Sequence, residues 1–119
     1  MDRYQYLIDL GRQLDGLPEA ERTDARRVLG CTSQVWLKTS FPEGPSGPVR
    51  LQADSDAAIV KGLVQVVLAL FDGLTGPEIG RTDWQGTFKT LGLEAHLSPS
   101  RANGLRSMVE RVLVETQPG

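Results

Sequence analysis

Residues 35–71, VWLKTSFPEGPSGPVRLQADSDAAIVKGLVQVVLALF, change their hydrophobic period once, and that change decides the fold. Val35, Leu37 and Thr39 alternate with Trp36, Lys38 and Ser40, and Val49, Leu51 and Ala53 alternate with Arg50, Gln52 and Asp54. A period of two is that of a strand with one face buried, so two strands are predicted. Between them Phe41 to Pro48 (FPEGPSGP) holds three prolines and two glycines. That composition forbids regular structure and suits a wide connection between antiparallel strands. From Ala57 to Phe71 the chain is apolar on nearly every side, which predicts a buried helix. Asp54, Ser55 and Asp56 stand before it as caps, with Asp56 in its first turn.

Toward the N-terminus, Tyr4, Leu7, Ile8, Gly11 and Leu14 fall at helical spacing with Asp2, Gln5, Asp9 and Arg12 off the stripe, which predicts an amphipathic helix over 2–14. Gly16 to Asp24 is turn-like, with a short helical piece after Pro18, and Arg26 to Leu29 reads as a short strand entering a loop. Toward the C-terminus, Thr75 and Glu78 have capping-box spacing around Pro77, and Asp83 to Leu91 reads as a helix closed by Gly92. Ser98 and Pro99 open the last helix, whose stripe is Leu105, Met108, Val109 and Val112 before the polar tail Glu115 to Gly119. Strands first and helices after make an α+β fold. At 119 residues the chain, 1–119, is read as a single domain.

Composition narrows the function. Thirteen Lys and Arg stand against fifteen Asp and Glu, for a net charge of −2, and no basic run exceeds Arg26–Arg27. Nucleic acid is therefore not an expected partner. The most apolar stretch, Leu63 to Phe71, is about half a membrane span, and the opening MDRYQ lacks the cationic then apolar pattern of an export signal. A cytoplasmic protein away from membranes is expected. One Cys and one His complete neither a disulfide nor a structural metal site, so no cofactor or metal is expected in this chain.

The one cysteine is the first candidate for chemistry. Cys31 sits in Gly30–Trp36 (GCTSQVW), where a glycine precedes it and Thr32 and Ser33 follow, a turn composition that exposes a side chain. The ordinary reading of a lone cysteine is an inert half-buried thiol, and composition alone favours it. Arg101 is the second candidate. At about 100° per residue it falls in the middle of the stripe of Leu105, Met108 and Val112, so a cation points inward. It also lies in the first helical turn, where the macrodipole disfavours it by about 0.3–1 kcal/mol. Either it reaches solvent or pairs with a carboxylate such as Asp56, or it serves an anion, and a cysteine thiolate is the anion at hand. His96 is read as a polar surface position before the last helix, Lys61 as the solvent edge of the central helix, and Trp36 and Trp84 as core or interface aromatics.

Three blocks in this order, GCTSQVW at 30–36, SDAAIVKGL at 55–63 and HLSPSRANGL at 96–105, closely resemble signature blocks of the SufE-like proteins. YLIDLG at 6–11 and MVERV at 108–112 fit the same pattern. The resemblance implies an α+β fold with a small three-stranded antiparallel meander packed on several helices, of the SufE/NifU-like kind. It implies a non-enzymatic sulfur acceptor: Cys31 takes persulfide sulfur from a cysteine desulfurase, stimulates that partner, and passes sulfur to a downstream iron–sulfur scaffold. Pyridoxal phosphate belongs to the desulfurase. Arg101 falls on a position associated with sulfur transfer and Asp56 on one that restrains the cysteine loop. Two departures stand out. The usual first block has Gln where this chain has Thr32, and members commonly carry another helix ahead of the YLIDLG segment, where this chain starts almost at once. Two rivals to the carrier reading are a non-transferring scaffold or allosteric partner of a desulfurase and an independent thiol enzyme.

Overall fold

The computed structural model describes residues 3–117, without the side chains of Arg3, Tyr4, Glu94 and His96. Asp2, the end of the polar tail, the placement of Tyr4 on the first stripe and the surface reading of His96's side chain lie outside the described residues. The order is helix α1 (Arg3–Arg12), strands β1 (Val35–Ser40) and β2 (Arg50–Ser55), then α2 (Ala58–Phe71), α3 (Gly76–Gly80), α4 (Trp84–Leu91), α5 (Leu93–His96) and α6 (Pro99–Thr116). Two short 3-10 turns, Glu19–Glu21 and Asp24–Arg26, lie between α1 and β1. The α+β class stands.

β1 and β2 pair antiparallel, with Val35 opposite Ser55, Trp36 opposite Asp54 and Thr39 opposite Leu51. Alternation puts Val35, Leu37, Leu51 and Ala53 on the core side, where they meet Leu63, Val64 and Val67 of α2 and Leu105, Met108 and Val112 of α6. Val49 leaves the expected strand: its amide donates to the Leu74 carbonyl (2.8 Å) and its carbonyl accepts from Gly73 (2.9 Å). The Asp72 carboxylate accepts the outward amide of Leu51 at 2.8 Å.

Among the described residues the sheet has two strands, which corrects the expected three-stranded meander. Of the strand predicted over Arg26–Leu29, a single antiparallel bridge remains, Arg27 to Trp36, with the Val28 amide donating to the Val35 carbonyl at 2.8 Å. The ladder cannot lengthen in either direction. A 3-10 turn ends at Arg26, and Gly30 turns the chain away at φ +91°. The Arg111 guanidinium takes the outward carbonyl of Arg27 at 3.0 Å and that of Ala25 as well.

The central helix starts one residue later than predicted. Ala57 is its N-cap, and Asp54 and Ser55 belong to β2. Asp56 lies between the strand and the cap, ahead of the first turn. Thr75 and Glu78 form the predicted reciprocal capping box, Gly92 closes α4 in the left-handed region at φ 68°, and Ser98 caps α6 with Pro99 in its first turn. Helix α5 was not predicted, and it places the His96 backbone in a helix where a loop was expected. No helix among the described residues is long and apolar enough to cross a membrane.

Helices α1 and α2 approach so closely that glycine is required on both sides. A Cβ on Gly62 would lie 2.1 Å from the Leu7 carbonyl oxygen, and one on Gly11 would lie 2.8 Å from that of Ala58. Backbone cannot yield as a flexible side chain can. Gly62→Ala is therefore expected to lower unfolding free energy by about 1–3 kcal/mol, measured by chemical denaturation, despite alanine's better helix propensity. An unchanged midpoint would show that α1 slides without cost.

Candidate functional site

The Cys31 loop lies along one face of α6. A Cβ on Gly30 would fall 2.5 Å from Ser107 Oγ, the Cys31 thiol donates to the Gly104 carbonyl at 3.5 Å, and Thr32 Oγ1 and Ser100 Oγ are 3.1 Å apart. Positions 100, 104 and 107 are neighbours on a helix surface, so the loop runs antiparallel to α6 across three small residues. Gly104 makes the seat for sulfur, since a Cβ there would already touch Sγ at 3.4 Å.

Beneath the thiol is a hollow of about 10 Å³ lined by Cys31, Val60, Leu63, Arg101, Gly104 and Met108. It has room for no more than a single water-sized group. Cys31 and Arg101 are thus brought to one site. Cys31 is half-buried, and burial pushes its thiol above the ordinary value, with the nearby positive charge of Arg27 offsetting only part of the rise. Seated on Gly104, the thiol carries its proton at neutral pH. Arg27 is thus a cation near the thiol that its place in the Arg26–Arg27 pair did not announce.

Asp56 is at the root of the loop. Its Oδ1 accepts the Gln34 amide at 3.0 Å, and its own amide donates to the Gln34 carbonyl at 3.3 Å. It touches neither the thiol nor the hollow. The neighbouring residues do more than cap. Ser55 Oγ donates to the same Gln34 carbonyl at 2.7 Å. Asp54, 3% exposed, accepts from the Leu17 and Ser55 amides and from Arg22 at 3.0, 2.8 and 2.7 Å. Arg22 also stacks over Trp36, 5.6 Å from the ring centroid, which covers the outer face of the sheet. Lys61 approaches Asp54 Oδ1 at 3.9 Å, and Trp84 packs edge-on against Phe88 in the core. Among the described residues no three His, Cys, Asp or Glu side chains converge as metal ligands.

Residues 1–116 match the family described as "SufE: Fe-S metabolism associated domain". The chain is 47% identical over 117 residues to an uncharacterized SufE-like protein of Rhizobium meliloti, covering 98% of this chain and 84% of that one. It is 46% identical over 117 residues to another from Rhizobium etli, covering 98% and 79%. A solution structure of a hypothetical protein from Thermus thermophilus superposes with a TM-score of 0.76 over 97% of this chain and 82% of that one, at 20% identity, which speaks to the fold. The chain belongs to the SufE family, whose domain is associated with iron–sulfur metabolism.

Proposed function

We propose that this protein is a sulfur acceptor that takes persulfide sulfur from a cysteine desulfurase onto Cys31, activates that partner, and hands the sulfur to an iron–sulfur scaffold in the cytoplasm. The observation behind this reading is the placement of the chain's only thiol. It rests at the tip of a loop that turns on a positive-φ glycine and is seated on a glycine of α6 over a small hollow that Arg101 also lines. A seated thiol is shielded and protonated; a lifted one meets solvent and ionises more readily. The Cys31 thiolate attacks the outer sulfur of the donor's persulfide. A new sulfur–sulfur bond forms on Cys31, the donor's breaks, and the donor leaves as a thiolate, so the exchange needs no external oxidant, metal or cofactor in this chain. Pyridoxal phosphate, which strips sulfur from cysteine, belongs to the desulfurase.

One observation favours the scaffold reading: burial raises the thiol pKa, which suits a cysteine that stays seated. Intact mass separates the two. After incubation with a cysteine desulfurase, pyridoxal phosphate and cysteine, the protein is expected to gain one or more sulfur atoms, removed by reductant. An unchanged mass while the desulfurase turns over would reject the carrier.

Arg101 lines the thiol's hollow, and its role in this reading is to hold the anionic sulfur during transfer. Arg101→Ala is expected to slow sulfur uptake roughly ten- to hundredfold, the loss of one hydrogen bond to a charged group, about 1.5–3 kcal/mol. Arg101→Lys should recover part of the rate, because an ammonium offers a point charge and no planar fork. Stability should move less than transfer does. A melting curve and a single-turnover uptake rate check this; an unfolded alanine variant or an unchanged rate would return Arg101 to a structural role.

A further inference from the structure

We infer that Ser55 is a positioning residue for the cysteine loop: its hydroxyl ties the loop's root to the start of α2 and sets how often the thiol is released. Ser55 is at the end of β2 and only 3% exposed. Its Oγ donates to the Gln34 carbonyl at 2.7 Å and accepts from the amide of Ala57, the α2 cap, at 3.3 Å. Its own amide donates to the buried Asp54 carboxylate at 2.8 Å. A serine hydroxyl has one proton to give, and here it goes to the loop. Gln34 is therefore held at both its backbone groups: Asp56 takes its amide and reaches its carbonyl at 3.3 Å, and Ser55 gives that carbonyl its shorter bond at 2.7 Å. The two clamps differ in setting. Asp56 is solvent-exposed, where water can replace it, whereas Ser55 is buried. Without the Ser55 hydroxyl the Gln34 carbonyl keeps only the longer bond from the Asp56 amide, and the buried end of the tie is lost. The contacts at the loop's tip, thiol to Gly104 and hydroxyl to hydroxyl, are weak by comparison, so the root governs opening.

This rests on the proposed role of Cys31 for its meaning, but its test needs no desulfurase. In the folded protein without partner, Ser55→Ala should speed alkylation of Cys31 by a thiol reagent about tenfold, an opening equilibrium shifted by ~1.4 kcal/mol. Hydrogen exchange at the Gln34 amide should accelerate by the same factor, while the amides of Leu63 and Val64 in α2 keep their protection. Ser55→Thr, which retains the hydroxyl, should alkylate at close to the parent's rate. Parental alkylation in a folded Ser55→Ala protein would overturn the inference. So would a rise matched by an equal loss of protection in α2, which signals general destabilisation. If Ser55→Ala does not fold, the parent alone decides: Cys31 alkylation and Gln34 exchange must report one opening equilibrium, and unequal protection sinks the clamp. A parent that takes up no sulfur rejects the carrier while leaving the clamp standing; a parent that takes up sulfur beside an unaltered Ser55→Ala does the reverse.

Discussion

Cys31→Ser is expected to fold like the parent and to take up no sulfur. The chain has no second thiol to receive it, and a hydroxyl cannot form a persulfide. Serine preserves the shape of the seat and can donate to the Gly104 carbonyl that the thiol now uses. A shift in stability of no more than about 1 kcal/mol is expected for so small a change. Intact mass after incubation with desulfurase and cysteine gives the chemical answer, and a melting curve confirms the fold. The loss should be complete rather than graded, because no neighbouring group can take over a covalent role. Stimulation of the desulfurase is the sharper readout. If Cys31→Ser stimulates repeated turnover as well as the parent does, the protein acts by binding, and the scaffold reading replaces the carrier.

The largest effect on stability is expected from Asp54→Ala. The substitution strips an acceptor from the Leu17 and Ser55 amides and from the Arg22 guanidinium at once, in a place with little water. Breaking a buried charged cluster by removing one partner costs about 3–5 kcal/mol, a large share of the roughly 5–15 kcal/mol by which a domain is stable. Chemical denaturation measures it. The same carboxylate gives the protein an acid limb. Burial pushes the Asp54 pKa up, but the two amides and Arg22 outweigh it and hold the group below its ordinary value of 3.8. Since the folded pKa is the lower one, this contribution is complete above 3.8 and fades as pH falls through the folded value. Asp54→Asn, which cannot titrate, should lack that part of the acid dependence. An asparagine variant as acid-labile as the parent would assign the limb to other carboxylates.

Much of this was legible in the sequence. The period-two runs and the proline-rich break between them marked β1 and β2, and the capping box at Thr75 and the cap at Ser98 are local patterns that tertiary packing left alone. The loop around Cys31 announced itself by its turn residues. What escaped depended on distant parts of the chain. The run Asp54–Ser55–Asp56 looks like a set of helix caps, because acidic and hydroxyl residues before an apolar stretch usually are. Asp54 also fits the alternation of the second strand, and pairing opposite Trp36 and Val35 keeps Asp54 and Ser55 in that strand; nothing local signals that Arg22 and Leu17 will reach Asp54. Gly104 stands 73 residues from the thiol it seats, and its only visible signal was a glycine on the inward side of the last helix. Four residues, Leu93–His96, are too few for a period to show. The third strand, which family resemblance implies, is cut short by the 3-10 turn and by Gly30.

A two-stranded sheet has as many outer edges as strands, and an unpaired edge is a template on which another copy can add itself. Here a side chain takes up part of the hydrogen bonding on either side of the sheet. The Arg111 guanidinium occupies the carbonyls of Ala25 and Arg27 beside β1, and the Asp72 carboxylate occupies the Leu51 amide beside β2. Charged side chains thus take hydrogen-bonding groups at both borders of this small sheet, which leaves less of it open to a second copy than its strand count alone suggests.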